Sequence, residues 1–350
     1  MTAARFTPLR LATVCAALAG ALLLLVLLAL ACGDQPLSLR EALRDPTSLD
    51  GTLLWRLRLP RVLLAILVGA SLSACGAVLQ ALLRNPLAEP YVLGVSGGAA
   101  LGATLALASG LAVVGGVFSE TGWLGRFSAP GVAAFLGAFV ATLLIAGSSG
   151  AGGRPGAVTL LLTGVIFNAF AGAAITSIQA LVSPETGRDI FLWLAGTLGH
   201  PSYGTLALAG GAQAVALGVM LGLSGRLNLL SLGDEEAAAL GVEVGRTRAL
   251  LLLATSASVG GAVALSGMVG FVGLLVPHVL RRLLGPDQRL LLPASILAGA
   301  AFLVAADLAV RLLFPVTGTE LPVGVLTALL GGPFFLFQLR RGGLPGVPGR

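Results

Sequence analysis

Apolar stretches long enough to cross a bilayer follow one another along this chain, and its arginines fall almost entirely between them. About 20 apolar residues coiled as a helix span a hydrocarbon core of about 30 Å. Such stretches occupy residues 11–31, 62–83, 91–117, 130–146, 157–182 and 204–223. A run at 249–280 follows, then 290–314 and 321–339. Hydrophobic residues make up 56% of the 350 and charged residues 10%, against about 25% charged in an ordinary soluble domain. That leaves too little polar surface to wrap a water-soluble globule of this size. The runs are continuous, without the period-two alternation of a transmembrane barrel. The expected fold is an all-α polytopic membrane protein, a single transmembrane domain over residues 1–350.

The 249–280 run is too long for one comfortable helix and is interrupted by Ser266, Gly267 and Gly270. Read as two helices, it brings the count to about ten. With Arg5 and Arg10 on the cytoplasmic side, thirteen of the 21 arginines fall inside and eight outside. This is the bias that positive-inside topology requires, and it puts both termini in the cytoplasm. A single helix would turn the Arg281–Arg282 and Arg340–Arg341 clusters outward. The first apolar run, ending at Cys32, also has the look of a lipoprotein signal. It is longer than the usual apolar core of about 7 to 15 residues, so it is read as the first helix.

Several chemistries are excluded. All 21 basic residues are arginine, and a Walker A phosphate loop needs a lysine on the phosphates. The arginines, net charge +6 included, are spread over many loops and form no basic run for nucleic acid. Cys15, Cys32 and Cys75 show no CxxC spacing, and His200 and His278 lie far apart in unlike contexts, so no metal site is expected. Acids avoid the apolar runs except Asp307, four positions before Arg311 on one helix face, a spacing that permits an ion pair. Ion-coupled transporters usually place carboxylates or broken-helix sites near the midplane. The chain thus offers a pathway without an engine of its own, and a docking segment for an external energy source is expected.

Three segments stand out. In 226–248, Asp234, Glu235 and Glu236 open a short helix, where acids favour the dipole. Ala237, Ala238, Ala239 and Leu240 continue it and Gly241 stops it. Such a helix fits a groove on a partner, or is an ordinary interfacial helix. In 84–98, Pro86 and Pro90 break helices and Gly94, Gly97 and Gly98 permit unusual backbone or close packing; it reads equally as a stiff inside turn or a constriction. In 56–61, RLRLPR, the arginine forks suit bidentate carboxylate contacts, or they are snorkelling anchors. The surrounding loop at 33–61 breaks the charge rule with five arginines, either paired locally with Asp34, Glu41, Asp45 and Asp50 or forming a docking surface.

With RLPR at 58–61, LVGASLSACGAVLQALLRNPLAEPYVLGVSGGAALG following it, LNLLSLGDEEAAALGV at 227–242, GFVGLLVPHVLRRLLGPDQRLLLP at 270–293, ADLAVR at 306–311 and ELPVGVLTALLGGPFFLFQLRR at 320–341, the chain resembles the permeases of type II ABC importers. That family takes up ferric siderophores, haem and cobalamin. The resemblance spans nearly the whole chain and implies a multi-pass permease of the cell inner membrane, working as a homodimer. It implies two cytoplasmic ATPase subunits, which use ATP and Mg, and a periplasmic substrate-binding protein, with no cofactor held by this chain. By position, Arg58, Arg61 and Arg311 match outer arginines that receive glutamates of the binding protein. Asn85 and Leu87 match the inner gate. Asp234, Glu235, Glu236, Ala238, Leu240 and Gly241 match the coupling helix, although Glu236 replaces the first alanine of the importer EAA spacing. Residues 148–156 lie where the family has a further gate loop, with no matching motif.

Overall fold

The computed structural model describes residues 6–33, 35–91, 94–110, 128–147 and 157–340. These residues form helices and connecting loops. The first long helix, α1, covers Pro8–Ala31, with the Thr7 side chain accepting the Arg10 N–H as its N-cap. Two short helices, α2 (Leu39–Arg44) and α3 (Leu49–Thr52), lead through a π-helical turn at Leu53–Arg58 into α4 (Leu59–Leu82). The chain continues through α5 (Val95–Ala108), α6 (Ala129–Gly147), α7 (Ala157–Leu181), α8 (Pro184–Ala195) and α9 (Tyr203–Gly222). Then come α10 (Ser224–Leu230), α11 (Asp234–Ala239), α12 (Val244–Ser266), α13 (Val272–Leu284), α14 (Gln288–Thr317) and α15 (Val323–Arg340).

Six helical segments are long and apolar enough to cross a membrane: Pro8–Ala31, Leu49–Leu82, Leu161–Leu181, Tyr203–Gly222, Val244–Ser266 and Gln288–Thr317. Val95–Ala108, Ala129–Ile145 and Val323–Gln338 are apolar but shorter. The stretch expected at 91–117 begins its helix only at Val95, and its residues 111–117 lie outside the described residues.

Helix α4 is the axis of the bundle, ringed by α1, α9, α12, α13 and α14. Its small residues allow this. A methyl group at Gly69 would collide with the Gly299 carbonyl of α14, and one at Gly76 with the Gly273 carbonyl of α13. Lipid gives helices little hydrophobic reason to associate, so close backbone approach of this kind supplies the packing. A second group, α5, α6 and α7, joins the first through α12 against α5 and α6. Polar side chains add cross-links: Gln213 on α9 donates to the Ser258 carbonyl of α12 at 2.8 Å.

The run expected to be two helices is two helices, α12 and α13, separated by residues 267–271. Gly267 takes a left-handed backbone (φ 65), and so does Phe271 (φ 66), which starts α13. Free backbone groups at such depth must find partners within the protein. The Val269 N–H donates to the Tyr91 hydroxyl and the Phe271 N–H to the Glu89 carboxylate, both at 2.7 Å. The Ser266 carbonyl accepts the Thr197 N–H at 2.9 Å. The turn after α4 is therefore also the clamp that closes the α12–α13 break.

Candidate functional site: two arginine clusters and an inner lever

At one end of the bundle Arg58, Arg61 and Arg311 come together around one cavity, with their guanidiniums turned inward. Each is only 5–6% exposed. Arg58 donates to the Leu30 and Ala31 carbonyls at 2.9 and 3.0 Å and also to Gln35. It thereby caps the C-terminus of α1, where a cation complements the helix dipole. Arg311 reaches the Ala29 carbonyl at 3.0 Å. Asp307, itself buried, accepts a hydrogen bond from Arg61 Nε at 2.8 Å and forms an ion pair with Arg311 Nε at 3.0 Å. Arg61 also pairs with Glu320, whose side chain is half exposed. With Gln35, His200 and Phe314 among their neighbours, these arginines line a cavity of about 280 Å³. Burial and the nearby Arg61 charge push the His200 imidazole below its ordinary value.

The spacing of Asp307 and Arg311 announced their pair. It did not announce that Asp307 also holds Arg61, which lies 246 positions away. Glu320 was visible inside the ELPVG string without any signal that it faces Arg61. Among the described residues no ion pair joins Arg40, Arg44 or Arg56 to Glu41, Asp45 or Asp50. Asp45 instead accepts from Thr47, and Asp50 from the Ser38 N–H.

At the inner end of α4, Asn85 folds its side chain back to accept the Leu87 N–H at 2.9 Å. This Asx-type bond stiffens the turn and leaves Leu87 exposed. Pro86 and Pro90 flank it, and Gly94 supplies the left-handed residue (φ 78) that starts α5. Asn168 on α7 donates to the Tyr91 carbonyl at 2.7 Å. The turn is thus tied at once to α7 and to the α12–α13 break. Residues 148–156 lie outside the described residues.

The segment 226–248 folds as most of α10, a glycine turn, α11 and the start of α12. The acids Asp234, Glu235 and Glu236 fill the first turn of α11, and Gly241 ends it in a left-handed conformation (φ 84). Ala237 is buried, whereas Glu235, Glu236, Ala238, Leu240 and Gly241 are exposed. Leu232 and Leu240 are each more than 60% exposed, an uncommon position for leucine beside a cluster of acids. Asp234 is turned the other way: Arg248 grips both its oxygens at 2.7 and 2.9 Å, and Arg84 stands at 3.5 Å. Asn228 on α10 donates to Asp287 at 2.7 Å and accepts the Gln288 N–H at the same distance. Arg289 and Asn228 hold the Asp287 carboxyl down at about 2. Helices α10 and α11 are therefore anchored at two points, on Arg248 of α12 and at the start of α14, while Glu235, Glu236, Leu232 and Leu240 stay exposed.

The sequence model of the FecCD transport family matches residues 21–341. The chain is 43% identical over 284 residues to the cobalamin import system permease protein BtuC of Halobacterium salinarum, covering 81% of this chain and 72% of that one. It is 40% identical over 326 residues to the hemin transport system permease protein HmuU of Yersinia pestis, covering 91% and 94%. It is 34% identical over 318 residues to the Fe(3+)-citrate import system permease protein YfmD of Bacillus subtilis, covering 89% and 90%. Among solved structures, it superposes with a TM-score of 0.81 and 31% identity on an inward-facing transporter assigned to the metal-chelate ABC type, covering 94% and 99%.

Proposed function

This chain belongs to the FecCD transport family, and from that premise we propose that it carries a metal chelate inward as the permease half of an ATP-driven importer. As a member of that family it is a multi-pass membrane protein and a non-enzymatic transport subunit, with ATP hydrolysis on a separate polypeptide. The cargo we favour is a ferric siderophore, with cobalamin or haem as the alternative that the names of its relatives keep in view. We read ten membrane crossings with both termini in the cytoplasm: the six long spans, the three shorter apolar helices and α13. The working unit is a homodimer over two ATPase subunits, which use ATP and Mg. A periplasmic binding protein delivers the chelate to the face marked by Arg58, Arg61 and Arg311.

The observation that carries this reading is the lever at 226–248. Glu235, Glu236, Leu232 and Leu240 are exposed, while Asp234 and Asn228 bind the segment firmly to the bundle. A push on α11 reaches Asp234, and through it Arg84 at the start of the Asn85–Leu87 turn. From that turn, Glu89 and Tyr91 reach the α12–α13 break. Gly241 needs its left-handed backbone, which costs a β-branched residue about 1–2 kcal/mol. Gly241→Val therefore uncouples hydrolysis from uptake. The test is liposomes holding the permease and its ATPase. ATPase stimulation by a binding protein loaded with each candidate chelate identifies the cargo, and equal stimulation by loaded and empty binding protein counts against the reading.

A further inference from the structure

The inner cavity is a different kind of place from the outer one. It lies between the end of α4, α10 and α13, has a volume of about 440 Å³, and is lined by Gln80, Arg84, Ser231, His278, Arg281 and Arg282 together with alanine and proline. No acidic side chain among the described residues stands in that wall. Among the described residues, neither Arg281 nor Arg282 makes an ion pair. Arg281 donates to the neutral Gln80 Oε1 at 3.1 Å, and its Nε is buried with no acceptor among the described residues. Arg84 forms one ion pair among the described residues, with Asp234 at 3.5 Å, whose two oxygens Arg248 already occupies. Arg84 also takes a left-handed backbone (φ 51), uncommon for a residue with a side chain.

Three guanidiniums around one partly dehydrated space repel one another and call for a counter-charge. The guanidinium fork matches the oxygens of a phosphate, which it grips by paired hydrogen bonds. Basic pockets among transmembrane helices at the cytoplasmic face are suited to anionic lipid headgroups. We propose that this cavity is a binding site for a phosphate-class oxyanion, held by Arg84, Arg281 and Arg282. Its inner placement rests on the topology proposed above. The same chemistry is offered by the phosphodiester of an inner-leaflet lipid and by free phosphate in the cytoplasm.

The test uses the full chain, delipidated in neutral detergent, with thermal unfolding as the readout. Short-chain phosphatidylglycerol and sodium phosphate are titrated in separate arms. Short-chain phosphatidylcholine and sodium chloride at matched ionic strength are the controls. A saturable rise in Tm with phosphatidylglycerol alone assigns a lipid headgroup. A rise with phosphate alone assigns a soluble anion, and a rise with both assigns the shared chemistry. Arg282→Gln, at an exposed position, weakens the apparent Kd about tenfold, as loss of one charged hydrogen-bond donor predicts. Arg188→Gln, on α8 and remote from this cavity, leaves it unchanged. Arg281→Gln is the second variant, and where it does not fold Arg282→Gln decides alone. No saturable response to either anion, or variants that respond like the native chain, overturns the proposal. Transport enters no arm, so this outcome is separable from failure of the importer reading.

Discussion

At one end of the bundle Arg61 and Arg311 grip a shared buried carboxylate, whereas at the other Arg281 and Arg282 stand around a cavity with no acid among the described residues of its wall. The residue type is the same and the surrounding helices, α4 and α13–α14, are neighbours. The difference lies in who supplies the counter-charge. At the outer end the chain does so itself, with Asp307, Glu320 and the last carbonyls of α1. At the inner end it leaves the position open. Arginines that look alike in a topology count can thus be held by acids in one place and stand without them in another, and only the partners tell them apart.

The largest effect should come from breaking the strut. Asp307→Ala removes the carboxylate that two buried guanidiniums share, and loss of one partner from a buried charge group costs about 3–5 kcal/mol. Thermal unfolding in detergent should show a large fall in Tm, and an unchanged Tm would erase the contrast between the two ends. Arg58→Gln removes charged hydrogen bonds worth about 1.5–3 kcal/mol from the C-terminus of α1, and hydrogen exchange should rise at residues 28–35. The same variant sharpens the docking assignment. Affinity for the binding protein that falls together with Tm marks Arg58 as a strut, and affinity that falls at unchanged Tm marks it as a contact.

A smaller effect is expected where the lever meets α14. Asp287 is held below its ordinary value, so its contribution is complete above about pH 4 and is lost as pH falls through about 2. Acid unfolding of Asp287→Asn should be flatter across that window than that of the native chain. The smallest effect belongs to the open cluster. Without added anion, Arg282→Gln should change stability by no more than about 0.5 kcal/mol, because no partner of this chain is lost.

Much of this was legible in the sequence, for physical reasons that differ by element. Length and apolar continuity gave α1 and α7 nearly to the residue, because a helix in lipid has little choice of register or extent. Ser266, Gly267 and Gly270 gave the break between α12 and α13. The acids and Gly241 gave α11 its start and stop. The short helices α2, α3 and α10 hold too few residues to show a period. Helix α8 did carry a signal, Ser183 as N-cap followed by Pro184, in a stretch too polar to be found by a search for apolar runs. The partners of the outer arginines were hidden for another reason. Arg58 binds backbone carbonyls, which every residue has, and Glu89 and Tyr91 bind backbone N–H groups 182 and 178 positions away. A side chain that answers to backbone leaves no complementary letter elsewhere in the chain.

The central claim is that force enters this bundle from another polypeptide through α11. Its most direct test is uptake of a chelate into liposomes that hold the permease with or without its ATPase, at fixed proton gradient. The account predicts accumulation only when the ATPase and ATP are present together, and none after Gly241→Val despite continued hydrolysis. Accumulation by the permease alone, collapsing with the proton gradient, would contradict it.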